Sequence, residues 1–175
     1  MNEIIKKNGV KFGLITGIVV LLINLMLYLI DLKLFISTWI SAGLFLFYFI
    51  ISLLVFIQTK KDLGGFISLK EGFTAYFLSI VIGFAISISF NIILFNLIDP
   101  EAKETIKELG IEAFVNMMRK FGTPNAQLKE MATKMEEQDQ FAVGSQIMGY
   151  GINLLFGAIY GVILAAIFKK DKPVF

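Results

Sequence analysis

Residues 72–98 read GFTAYFLSIVIGFAISISFNIILFNLI, 27 consecutive positions without one charged side chain. Three more stretches share this character: Phe12 to Ile30, Leu34 to Thr59, and Gln140 to Phe168. A helix rising 1.5 Å per residue needs about 20 residues to cross a bilayer core, and each stretch supplies that. Buried helices of soluble proteins are shorter and keep a polar stripe. Hydrophobic residues make up 57% of the 175-residue chain and charged residues 17%, against roughly 45–50% and 25% in soluble domains. So small a soluble domain could not hide that much apolar surface. The fold class is therefore all-α: an integral membrane bundle of four transmembrane helices in one domain, 1–175, whose principal partner is the lipid bilayer. The spans are expected at about 10–30, 34–58, 70–98 and 141–168. Between the last two lies a helical segment at about 99–140.

Lys6, Lys7 and Lys11 before the first span resemble the basic start of a secretion signal. The apolar run after them is too long for one, and no small-residue cleavage site follows, so an uncleaved helix is expected. Basic residues set the orientation. Lys6, Lys7 and Lys11, then Lys60, Lys61 and Lys70, then Lys169, Lys170 and Lys172 fall on one side; the short first connection holds only Lys33. The long third connection mixes six basic with nine acidic residues, and such segments translocate largely regardless of charge. Both termini are thus expected in the cytoplasm and 99–140 outside, with Tyr28 and Trp39 at the outer interface.

The joints carry helix punctuation. Ser68-Leu69-Lys70-Glu71 reads as a capping box ahead of the third span, after a Gly64-Gly65 turn. Lys60-Lys61 and Lys169-Lys170 suit the C-terminal dipoles of the second and fourth spans. In the outer segment Asp99-Pro100 is an N-cap followed by proline at the first helical position. Ala102, Ile106, Leu109, Ala113 and Met117 recur at helical spacing, and Phe121-Gly122-Thr123-Pro124 ends that helix and starts another. The reading is an extracytoplasmic amphipathic helical hairpin, its second helix positioned to run on into the last span. Phe114, Met118 and Met131 are its candidate partner surface, since thioethers adapt to varied contacts. The simpler and preferred account is that the methionines pack the two helices together or against the outer leaflet.

Small residues recur every fourth position. Gly9, Gly13 and Gly17 form one row; Ala75, Ser79, Gly83 and Ser87 lead to Asn91; Ser145, Gly149, Asn153, Gly157, Gly161 and Ala165 form a third. Each row occupies one helix face. In lipid no hydrophobic gain draws helices together, so close backbone approach must do it, and small residues permit that. The plain reading is packing within one chain; the sharper one is a homo-oligomer seam along the fourth helix. Asn24, Asn91 and Asn153 are the deepest polar residues, and a bare amide in hydrocarbon demands a partner. They are expected to bond one another, with a polar solute site as the alternative.

The chemical inventory is sparse. With no cysteine and no histidine, thiol catalysis, the usual serine triad and zinc hydrolysis have no residues to use. No Asp, Glu, Lys or Arg lies within a span, where proton pumps, ion-coupled transporters and intramembrane aspartyl proteases place them. Net charge of +2 argues for no nucleic acid. The chain is expected to be no enzyme, with no cofactor and no metal.

The glycine row of the first span, the segment Asp62-Leu63-Gly64-Gly65-Phe66-Ile67-Ser68-Leu69-Lys70-Glu71-Gly72-Phe73, and the polar insertion before a glycine-rich last span from Gly149 to Gly161 together resemble the bacterial membrane family called domain of unknown function 4199. The resemblance covers nearly the whole chain. It implies this topology and a bacterial inner-membrane location, and it implies no catalytic residue. Function is expected to be that of a non-catalytic scaffold or interaction subunit working through the outer hairpin, with a second copy or another membrane protein as its partner; the alternative is a small oligomeric transporter or channel for an uncharged or weakly polar solute.

Overall fold

The computed structural model describes residues 2–172. Six helices follow in order: α1 Glu3–Ile30, α2 Thr38–Asp62, α3 Leu69–Ile93, α4 Pro100–Lys120, α5 Asn125–Glu137 and α6 Val143–Phe168. Four of them, α1, α2, α3 with its extension to Ile98, and α6, are long and apolar enough to cross a membrane. Their outward surfaces confirm the solvent. Met26 is 59% exposed, Phe45 76%, Phe156 68% and Ile167 69%. The buried side chains, by contrast, include Asn8, Thr16, Asn24, Ser52, Thr59 and Ser79. An apolar exterior around a partly polar interior is what lipid selects.

Local signals account for the element ends. The Asn2 side chain accepts the Ile4 N–H at 2.9 Å and starts α1, well ahead of residue 10; the extra turns carry Lys6 and Lys7. Asp31 ends α1 and caps a 3-10 turn, Leu32–Ile36. Residues 34–36 therefore belong to that turn rather than to the second span, which begins at Thr38 and runs on to Asp62. Gly64 and Gly65, at φ +82° and +88°, make the reversal after α2 that residues with a Cβ resist. Ser68 and Glu71 form the capping box of α3. At its far end α3 widens into a π turn, Leu94–Ile98, closed by the Asp99 N–H on the Leu94 carbonyl at 2.8 Å. The second hairpin helix does not continue into the last span. The chain breaks at 138–142, where Asp139 Oδ1 accepts the N–H groups of Phe141 and Ala142 at 2.9 and 3.0 Å. An aspartate so placed holds a turn through its own side chain and competes with an unbroken helix.

The α1–α3 pair is the spine. An added Cβ at Gly9 would lie 2.9 Å from the Ala75 carbonyl oxygen, at Gly13 2.8 Å from Ile82 Cβ, and at Gly17 2.7 Å from Ile86 Cδ1. Gly83 answers from α3, its missing Cβ 3.2 Å from Thr16. The glycines of α1 thus receive Leu78, Ile82 and Ile86 of α3, while Gly83 receives Thr16 of α1. α6 packs on the other side of α3 through its C-terminal half, with Gly157 against Ile80 and Gly161 against the Tyr76 ring. At the lysine-rich end, Ile67 and Lys170 exchange main-chain hydrogen bonds at 3.0 and 2.9 Å, which staple the end of α6 to the α2–α3 loop.

Candidate functional site

At the lysine-rich end the bundle is closed around Val55, Phe56, Ala75, Tyr76, Leu164 and Ala165. Toward the hairpin end α2 and α6 part from each other, and a cleft opens between them and α3. Its lower compartment, about 200 Å³, is lined chiefly by Phe45, Phe49, Ile80, Phe84 and Tyr160. The serine and threonine hydroxyls that reach it are already engaged: Thr16 donates to the Phe12 carbonyl at 2.7 Å, Ser79 to the Tyr76 carbonyl at 2.7 Å, and Ser52 to the Phe49 carbonyl at 2.6 Å. That compartment is therefore apolar in effect. Tyr48 and Phe84, rings 5.6 Å apart and edge to face, line both halves and form the waist. Above them the cleft widens to about 940 Å³ and gains Asn91, Gln138, Asp139, Gln140, Gln146 and Asn153.

The hairpin roofs this opening. Ala102 and Ile106 of α4 are buried against Leu94 and Phe95 of the π turn, with Tyr28, Phe35 and Phe141 packed around them. Burial of Ile106 contributes on the order of 1.5–3 kcal/mol at this wetter end. Polar ties add to it. Asp99 Oδ2 accepts the Tyr28 hydroxyl at 2.9 Å while Oδ1 caps the Ala102 N–H at 3.0 Å. The Lys103 ammonium meets Asp139 Oδ2 at 3.1 Å, and Lys107 donates to the Glu136 carbonyl. Asn96 and Gln146 both donate to the Phe141 carbonyl, at 3.0 and 2.7 Å. These contacts hold the Asp99 carboxyl below the usual range, first through the Ala102 N–H and then the Tyr28 hydroxyl. At Asp139 burial pushes upward, but Lys103 and the two N–H groups outweigh it and the carboxyl is lowered.

The residues singled out by spacing fall in different places. Asn24 donates to Asn91 Oδ1 at 3.1 Å, joining α1 to α3. Asn153 stays apart; it is exposed, on the wall of the cleft. Gly149 has open space where a Cβ would go, because α6 has already swung away from α3 at that height. Ser87 bonds back to the Gly83 carbonyl at 3.1 Å and also faces the cleft. In the hairpin Phe114, Met118 and Met131 are half-buried, while Met117 and Phe121 stand out at 48% and 79% exposure. The cleft itself and the Asp139 tie carried no signal in the spacing, since both depend on how far α2 and α6 diverge.

Among the described residues no group of three or more acidic residues is placed to hold a metal ion. What the fold and the site define is a four-helix membrane protein with a roofed lateral cleft. By sequence the chain belongs to the family described as Protein of unknown function (DUF4199), whose model matches residues 11–170. No curated protein and no solved structure matches it.

Proposed function

We propose that this protein is a non-catalytic interaction subunit of the bacterial inner membrane, its termini cytoplasmic and its α4–α5 hairpin presented outside as the contact surface. The family resemblance supports the inner-membrane location, and the lysines at the opposite end of the bundle support the sidedness. One observation carries the functional reading. The base of the hairpin is tied down by Asp99, Lys103 and Lys107, whereas its tip offers Met117 and Phe121 to solvent. A fixed shaft with an apolar end binds a partner without first having to be ordered. The half-buried Phe114, Met118 and Met131 lie within the hairpin and support that end from behind. A solute conduit has less support, because Asn24 is committed to Asn91 and Asn153 joins neither.

Photocrosslinking amino acids in place of Met117 and Phe121, in cells, test the proposal. Discrete protein adducts at these positions, and not at the exposed polar positions Glu104 and Thr133, are expected. Adducts to lipid alone, with a purified protein that is a lone monomer, would overturn it.

A further inference from the structure

We propose that the cleft between α2, α3 and α6 binds one lipid from the hairpin-side leaflet, chain downward, with an uncharged, hydroxyl-bearing headgroup among the amides. This goes beyond the hairpin contact and stands on different residues. Polarity along the cleft is graded in the sense a leaflet lipid requires. The deep compartment presents Phe49, Ile80 and the Tyr160 ring, and its serine and threonine hydroxyls are spent on main-chain carbonyls. The upper compartment presents amides, and the side chains of Gln138, Gln140 and Asn153 make no hydrogen bond among the described residues. Amides both donate and accept, which suits hydroxyl groups.

Charge selects further. The one charged side chain among the described residues of the upper lining, Asp139, is already paired with Lys103 at 3.1 Å. Lys107 lies outside that lining, on the adjoining wall beneath the hairpin, where it donates to the Glu136 carbonyl. The upper lining thus contains no lysine or arginine among the described residues, and a bare phosphate would meet no cation within it. The cleft is entered sideways past Phe45, Met148 and Ile152, all exposed to the membrane, so a lipid reaches it without leaving its leaflet.

Native mass spectrometry of the full chain in detergent tests this with three lipids of identical acyl chains: a dihexosyl diacylglycerol, phosphatidylglycerol and phosphatidylcholine. One equivalent of the glycolipid should be retained at concentrations about tenfold lower than either phospholipid, the ratio that two ordinary hydrogen bonds supply. The double variant Asn153→Leu with Gln140→Leu should lose that preference, while Gln127→Leu, on the exposed face of the hairpin, should keep it. Equal retention of all three lipids by the unaltered chain overturns the proposal, whether or not the double variant folds. So does a preference that survives in a folded double variant, or binding of several equivalents without a first saturating one.

Discussion

Replacing Gly13 with alanine should destabilise the bundle, although alanine is the better helix former. The added Cβ would sit 2.8 Å from Ile82 Cβ and 2.9 Å from the Ser79 carbonyl oxygen. Carbon atoms pack best near 3.5 Å or beyond, so α1 and α3 would have to part by about 0.7 Å. Neither neighbour is the loose end of a flexible side chain, and separating the helices also loosens Gly9 and Gly17. Overpacking of this kind costs about 1–3 kcal/mol, and the helix propensity gained returns about 1 kcal/mol. Gly149→Ala supplies the control. The same propensity is gained there, and nothing lies within 4 Å of the new methyl group. Subtracting the two removes the propensity and leaves the contact: Gly13→Ala should be less stable than Gly149→Ala by about 1–3 kcal/mol. Unfolding in mixed micelles, followed by circular dichroism, measures it. A triple alanine variant at Gly9, Gly13 and Gly17 should cost less than its three parts summed, because one separation of the helices relieves all three clashes. Equal stability of the Gly13 and Gly149 variants would refute the close α1–α3 approach.

The Asn24–Asn91 bond should show in a double-mutant cycle. Either asparagine replaced singly by leucine should cost about 0.6–2 kcal/mol, and the double replacement should recover part of it, read in the same unfolding assay. The hairpin should loosen in acid. The carboxyls of Asp99 and Asp139 are lowered in the folded state, so their contribution is fully present above the ordinary aspartate range and lost as pH falls through the depressed values. Protection against hydrogen exchange over 99–142, taken relative to the unstructured chain at each pH, should hold steady from neutrality to about pH 4 and fall below it. Lys103→Met should move that change to higher pH, since Asp139 loses the ammonium that lowers it.

The spans were plain in the sequence because lipid imposes one requirement on every residue of a crossing helix. Glycine spacing in α1 and α3 was legible for a related reason: Gly9, Gly13, Gly17 and Gly83 lie at a contact only small residues allow. The same spacing in α6 misleads at Gly149, since a row of small residues marks a face without saying how far along it the neighbour stays. Asn153 shares its helix face with Gly149 and Gly157, yet faces the cleft rather than Asn91. Periodicity placed the α4 stripe, with Ala102 and Ile106 buried, but the hydrophobic positions at its far end divide by docking geometry: Met118 inward, Met117 outward. The break before α6 rests on one Asp139 side chain bonding two N–H groups, a local competitor that the long charge-free run conceals.

Sidedness is the claim on which the proposed function turns, and a chain without cysteine lets it be measured directly. Single cysteines at Gln127 on α5 and at Lys61 near the end of α2 are both exposed and avoid the positive-φ glycines. Cells with a permeabilised outer membrane would be treated with a maleimide that cannot pass the inner one. Reaction at 127, with 61 labelled only after lysis, is the predicted result. Labelling of 61 but not 127 in intact cells would place the hairpin in the cytoplasm and contradict the account.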